Sequence, residues 1–184
     1  MEHSVPAEGV EPDTEMSVLF VLNPENETRR EFGSRYGEFS VENRNKLLVN
    51  RVHFDVNQNN EVFISYCFRN RIEKYDRDGS LLTSFNRMKN IDSETVPEYI
   101  WDTYMMPSGA ASDKKGRLWV STLVNQPEEG NNQDFRFEIF TEEGILLGSV
   151  PQTRQGKLRI FENILFIIDS KENMCVYQYE IIEK

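Results

Sequence analysis

The stretch NRIEKYDRDGSLLTSF, residues 70–85, decides the fold, because two short apolar segments flank an acidic turn that ends in glycine. Gly79 accepts the positive φ of a tight turn, and the side chains of Asp76 and Asp78 can bond the backbone of that turn. Beyond the turn, Leu81, Thr83 and Phe85 occupy every second position, so they share one face of an extended strand. The stretch therefore predicts a β-hairpin.

The same hairpin pattern occurs elsewhere in the chain. FRFEIFTEEGILLGSV (135–150) repeats it with Gly144 at the end of the turn, and VLFVLNPENETRREF (18–32) is a looser copy without glycine. NMCVYQYEII (173–182) supplies only the incoming strand. Recurrence of one unit is typical of repeat architectures, so the hairpin is one part of a repeat.

A second pattern precedes each of the later hairpins. VHFDVNQNNEVFIS (52–65) aligns without a gap on SGAASDKKGRLWVS (108–121), which makes Phe63 and Trp119 equivalent, and LRIFENILFII (158–168) is a shorter copy. The full unit is therefore four strands, which we name A to D. The spacing of the copies is close to the roughly 40–50 residues of one β-propeller blade, with Ile164 aligned on Leu118 in the last copy.

These units predict an all-β chain, a partial, open β-propeller of four-stranded antiparallel blades with about three blades plus an N-terminal hairpin. No window keeps the apolar stripe of a helical repeat. A β-sandwich fits less well, because strands such as residues 164–168 are apolar on both faces, as in sheets covered by two neighbours. The expected segments are a disordered acidic lead (1–15) and a partial propeller domain (16–184) made of a hairpin (16–32), a blade (51–85), a second blade (108–150) and an incomplete blade (157–182).

Three phrases, NRIEKYDRDGSLL, DKKGRLWVSTL and FEIFTEEGILLG, resemble the six-bladed β-propeller family related to NHL-repeat proteins. The resemblance covers residues 16–182 and suggests a C-terminal portion of about three blades. It implies an architecture and no single activity, since the family includes enzymes, sensors and RNA binders. It also implies an extracytoplasmic setting for full-length relatives, although the first residues of this chain lack the features of a signal peptide.

The strand count predicts open ends. The patterns supply thirteen strands, fewer than the roughly 16 of the smallest usual propeller. Uncovered blade faces near residues 18–22 and 164–168, together with unpaired strand edges, favour self-association.

Composition limits the partners. The net charge of −10 argues against nucleic acid, whose binding depends on Lys and Arg. No apolar run approaches the roughly 20 residues of a membrane span, so we expect a soluble chain. The basic cluster of Arg69, Arg71 and Lys74 is interpreted as a solvated strand edge.

Groups suited to catalysis are few. The chain has two histidines, His3 and His53, which excludes a multi-histidine metal site within it. Cys67 and Cys175 lie in predicted strands of different repeats and are expected to be buried free thiols. We therefore predict no catalytic residue, no metal site and no cofactor.

The lengths of the connections indicate where a ligand would bind. The A–B and C–D turns are short, whereas the long links at 33–50, 86–107 and 123–134 all leave the opposite face. Loops on a rigid scaffold commonly carry function. The predicted ligand-binding residues on this face are Tyr36, Arg44, Arg69, Asn70, Trp101, Asp102, Tyr104 and Asn125. Alternatively, the aromatic residues of 99–104 fold their own loop back over the sheet ends.

Two function classes remain open. In the first, the chain is a non-catalytic binding or interaction module that captures a protein, peptide or glycan on the long-loop face. In the second, it is a metal-assisted propeller lyase or hydrolase, with carboxylates such as Asp55 and Asp102 holding the metal near the axis.

Overall fold

The computed structural model describes residues 12–22, 29–36, 50–67, 71–87, 109–123, 135–170 and 173–182. Within these ranges the chain is all-β and has no helix. The first sheet contains β1 (Pro12–Leu22) and β2 (Arg29–Tyr36). The second contains β3 (Val52–Val56), β4 (Val62–Tyr66), β5 (Ile72–Tyr75) and β6 (Leu81–Phe85). The third contains β7 (Ala110–Ser112), β8 (Leu118–Leu123), β9 (Phe135–Phe140) and β10 (Leu146–Gln152). The fourth contains β11 (Lys157–Phe161), β12 (Ile164–Asp169) and β13 (Cys175–Glu180).

Each sheet is antiparallel, and its strands lie in chain order, so that the described strands form sheets of two, four, four and three. This arrangement confirms the predicted fold class, an open series of propeller-like blades that follows an N-terminal hairpin. The first sheet is longer than expected, because β1 already pairs with β2 at Pro12 and Asp13, inside the stretch 1–15 that the sequence predicts to be disordered. A bulge between Asp13 and Ser17 separates this extension from the rest of the hairpin.

One turn geometry recurs in both four-stranded sheets. Asp76 Oδ1 accepts hydrogen bonds from the backbone N–H groups of Asp78 (2.9 Å) and Ser80 (2.8 Å), and Gly79 has a φ of 95°. The same pair of bonds is made by the side chains that open the other turns, Asn57, Asp113 and Thr141. The predicted roles of Asp76 and Gly79 in the turn are confirmed. The Asp78 carboxylate forms an ion pair instead, since it lies 3.6 Å from Arg77 Nε.

The sheets pack face to face in chain order. A cluster that includes Phe32 and Tyr66 joins the first sheet to the second, and one that includes Phe63 and Leu118 joins the second to the third. A third cluster, with Trp119 among its members, joins the third sheet to the fourth. The core therefore lies between successive sheets.

Phe63 and Trp119 occupy equivalent places, because each is buried on the face of strand B that covers the next sheet. The alignment of the last copy is wrong by one residue. The predicted spacing places Ile164 level with Leu118, but Leu165 is the residue that packs on the preceding sheet as Leu118 does. A shift of one residue exchanges the two faces of a strand. Phe166 is therefore the counterpart of Trp119.

The A strands of successive sheets contact one another along one edge of the series. Asp55 Oδ2 on β3 accepts hydrogen bonds from Ser112 N (2.7 Å) and Ser112 Oγ (2.6 Å) on β7. Gly109, just before β7, approaches β11 so closely that a Cβ there would lie 2.9 Å from Leu158 N. The close approach of these two backbone segments therefore requires glycine at position 109.

Candidate functional site

The predicted ligand-binding residues fall almost entirely outside the described residues. Tyr36 is the last residue of β2, where its backbone pairs with Pro12. The other seven predicted residues lie outside the described ranges: Arg44, Arg69, Asn70, Trp101, Asp102, Tyr104 and Asn125. These eight residues therefore remain a prediction of the binding site.

The ends of the described strands define two faces. We call the long-loop face the side on which β2, β4, β6, β8, β10 and β12 end, since the insertions at 37–49, 88–108 and 124–134 leave from it. The short-turn face is the opposite side, which carries the turns at 57–61, 76–80, 113–117, 141–145 and 162–163. This separation follows from the antiparallel order of each sheet.

A buried carboxylate lies under the long-loop face of the second sheet. Glu73 on β5 is fully buried, and its Oε1 accepts a hydrogen bond from Arg71 Nε at 2.6 Å. Its Oε2 accepts from the hydroxyls of Tyr66 (2.9 Å) and Tyr75 (2.7 Å) and from Ser34 N of the first sheet (3.2 Å). Burial, followed by the bond to Glu73, raises the pKa of Tyr75. The network connects two sheets.

The third sheet repeats this arrangement. Glu138 on β9 is also fully buried, and it accepts hydrogen bonds from Arg136 Nη2 and Thr122 Oγ1, both at 3.1 Å. Thr122 stands where Tyr66 stands in the second sheet, and the Arg-x-Glu spacing is the same. A buried carboxylate is tolerated only when it is paired and hydrogen-bonded, so both pairs hold strand C against strand B.

Sequence reasoning missed these two pairs. Arg71 was interpreted as part of a solvated edge, whereas it pairs with buried Glu73. The signal was present, because the sequences RIEKY and RFEIF carry arginine and glutamate at the same two positions of strand C in both repeats. Sequence repetition of a charged pair inside an apolar strand indicates a structural ion pair.

The two cysteine thiols and the Asp55 carboxylate also lie among the described residues. Cys67 is buried, and burial raises the pKa of its thiol to about 11, so at neutral pH it is a protonated thiol. Cys175 is also a free thiol, but it is only half-buried. Asp55, the described member of the suggested metal pair, uses Oδ2 to bind Ser112. Among the described residues, no cluster of three or more His, Cys, Asp and Glu side chains could hold a metal ion.

Two clefts lined by described residues lie on the short-turn face. One of about 250 Å³ separates the turn at 113–117 from Glu162 and Asn163. Another of about 200 Å³ separates the turns at 57–59 and 113–116 and reaches Glu142. Both are grooves between successive A–B turns. Most of the residues that line them are polar or charged, and the sequence analysis did not predict these grooves.

Lys74, near this face, forms ion pairs with two glutamates. Its Nζ lies 2.9 Å from Glu61 Oε2 in its own sheet and 3.2 Å from Glu142 Oε2 in the next sheet. Burial opposes its charge, but the two carboxylates outweigh burial and raise the pKa of Lys74. The interpretation of Lys74 as a solvated residue is wrong, because it is a buried link between two sheets.

Comparison with known proteins gives a likeness of fold. No protein-family model matches the chain, and no curated protein matches it. Among solved structures, it is similar to a member of the DUF4221 family from Bacteroides vulgatus ATCC 8482, with 7% sequence identity and a TM-score of 0.53. The similarity covers 88% of this chain and 54% of that one, so this chain spans about half the length of its structural neighbour. Within the described residues, no helix has the length and apolar character needed to cross a membrane.

Proposed function

We propose that the chain is a non-catalytic binding module of the β-propeller type, which captures a protein, a peptide or a glycan on the long-loop face. The observation that carries the proposal is the pair of buried Arg–Glu networks at Glu73 and Glu138, directly under the face from which the long insertions leave. They hold strand C of each sheet against strand B through the hydroxyl groups of Tyr66 and Thr122. Rigid strand ends that support long loops are the usual construction of a recognition surface.

The aromatic and hydrogen-bonding residues of the insertions supply the contacts in this proposal. Trp101 and Tyr104 have the chemistry of binding anchors, since Trp and Tyr provide large apolar contact area with a polar group at one end. Tyr36, Arg44 and Asn125 supply polar contacts around them.

A library of random peptides displayed on phage and an array of immobilised glycans are the probes that test this function. We expect specific binders whose affinity falls at least about tenfold in Trp101→Ala and in Tyr104→Ala, as for residues at the centre of an interface. Lys114→Ala is the matched control, because Lys114 is exposed on the short-turn face. If binding is retained in both aromatic variants and lost in Lys114→Ala, the site lies on the short-turn face and the proposal is wrong.

A thermal shift screen with divalent cations separates this function from a metal-assisted lyase or hydrolase. A cation that binds the native state stabilises it by about 2.7 kcal/mol at a hundredfold excess over Kd. The binding-module proposal predicts no such stabilisation. A cation that raises Tm in the wild type but not in Asp102→Asn would favour the enzyme instead.

A further inference from the structure

The turn at 76–80 contains two neighbouring groups that can react with each other. An aspartate side chain can close a succinimide ring with the backbone nitrogen of the next residue. A side chain on that next residue hinders the approach, whereas glycine has none. Gly79 follows Asp78, and the other glycines of the sequence follow neither aspartate nor asparagine. The chemistry of this ring closure is therefore favoured at this turn.

The two reacting groups are accessible. The side chain of Asp78 is 63% exposed, and its ion pair with Arg77 at 3.6 Å is screened by solvent. The N–H of Gly79 donates to Asp76 O at 3.2 Å, which is the upper limit of the usual range for such bonds. Both groups are thus held by weak interactions.

The reaction is a condensation followed by a hydrolysis. Gly79 N attacks Asp78 Cγ, a bond forms between these two atoms, and the bond between Cγ and one carboxyl oxygen breaks. That oxygen leaves as water, with the amide proton and the proton of the neutral carboxyl group. Water then opens the succinimide at either carbonyl. Opening at the former main-chain carbonyl leaves isoaspartate, in which the main chain runs through the side chain of residue 78.

The hydrogen bonds of the turn oppose this reaction. Asp76 Oδ1 accepts bonds from N–H groups on both sides of the reacting pair, those of Asp78 (2.9 Å) and Ser80 (2.8 Å). The bonds from the backbone of Ser80 and Asp78 lower the pKa of Asp76, which keeps this acceptor ionised. The attack requires rotation about the backbone of Asp78, and these bonds restrict that rotation. Local opening of the turn therefore limits the rate.

The same turn lies against the first sheet. Arg30 Nη1 on β2 donates a hydrogen bond to Arg77 O at 3.2 Å, and a Cβ built on Gly79 would lie 2.6 Å from Glu31 O. Isoaspartate lengthens the main chain by one methylene group at this contact. A longer backbone in so confined a space displaces the turn from β2 or breaks its bonds to Asp76.

We propose that Asp78 is a site of spontaneous isoaspartate formation, at a rate set by the hydrogen bonds to Asp76, and that the product loosens the contact between the first two sheets. The turn at 141–145 shows why the residue before glycine matters. Thr141 makes the same pair of bonds there, but Glu143 precedes Gly144. The additional methylene group of glutamate makes a larger imide ring, which closes more slowly.

Prolonged incubation of the whole chain in mildly acidic buffer tests the proposal. A methyltransferase that labels isoaspartate, followed by peptide mapping with mass spectrometry, locates and quantifies the product. We expect label at residue 78 to increase with time in the wild type and to be absent from that peptide in Asp78→Glu, which keeps the charge. A wild type without label at residue 78, in a buffer in which a synthetic peptide of residues 70–85 is labelled, would overturn the proposal.

Two variants of Asp76 test what sets the rate. Asp76→Ala removes the acceptor, so it should accelerate labelling at Asp78 several-fold. Asp76→Asn is the matched control, because Asn57 supplies the same acceptor in the turn at 57–61, and its rate should stay near that of the wild type. Equal rates in Asp76→Ala and the wild type would show that these bonds do not limit the reaction. Hydrogen exchange should increase in β2 of the modified chain, and unchanged exchange there would contradict the loosened contact.

Discussion

Trp119 is the residue whose removal should most clearly disturb the packing between two sheets. It is 6% exposed, packs against Phe137 with ring centroids 6.3 Å apart, and lies in the cluster that joins the third and fourth sheets. Its indole Nε1 donates a hydrogen bond to Asp113 Oδ2 at 3.1 Å. Truncation of a buried tryptophan costs about 3–5 kcal/mol, so we expect Trp119→Ala to lower the free energy of unfolding by that amount.

Urea denaturation followed by far-UV circular dichroism measures this loss without relying on tryptophan fluorescence. Leu147→Ala is the control, because Leu147 is 54% exposed and its loss should change stability by at most about 0.5 kcal/mol. Trp119→Phe keeps an aromatic ring and removes the donor to Asp113, so it should cost about 1 kcal/mol. A loss below about 1 kcal/mol for Trp119→Ala would refute the packing of these sheets.

Two other predictions concern the inner edge of the sheets and the A–B turn. Gly109→Ala should lower the free energy of unfolding by about 1–3 kcal/mol in urea denaturation, because the added Cβ meets the backbone of Leu158. An unchanged free energy of unfolding would mean that β7 and β11 are farther apart. Burial opposes the charge of Asp113, but hydrogen bonds from Arg117 and Trp119 outweigh it and lower the pKa of Asp113. Its contribution to stability is therefore complete above the unfolded pKa of about 3.9 and is lost as pH falls through the lower folded pKa, so wild type should lose stability more steeply than Asp113→Asn below about pH 4. Parallel acid limbs for the two proteins would contradict this assignment.

Local turn chemistry made much of the fold predictable. Asp76 and Gly79 mark a turn whose side-chain and backbone requirements are local, and the same chemistry at Asn57 and Asp113 fixes where the strands of a sheet begin and end. The register of β12 could not be predicted in this way. All residues from Ile164 to Ile168 are apolar, so both faces of this strand are apolar and the sequence has no alternation that distinguishes them.

The candidate site was less predictable than the fold. Glu73 and Glu138 are charged residues in strands, and a single copy gives no reason to bury either of them. Their burial depends on partners that come from other strands, such as Tyr66, and only tertiary packing brings these together. Long connections were recognisable from the spacing of the strands. The contacts made by Trp101 and the other loop residues depend on the conformation of the insertions, which local patterns do not determine.

The central structural claim is that the sheets stack face to face in chain order, and zero-length carbodiimide cross-linking followed by mass spectrometry tests it most directly. We predict two intramolecular cross-links between successive sheets, Lys74 to Glu142 (3.2 Å) and Lys114 to Glu162 (3.9 Å). Lys74 to Glu61 (2.9 Å), within one sheet, is the internal control. Mixing isotopically labelled and unlabelled chains separates intramolecular from intermolecular links. Recovery of the control link without either link between sheets would contradict the stacking on which the long-loop face depends.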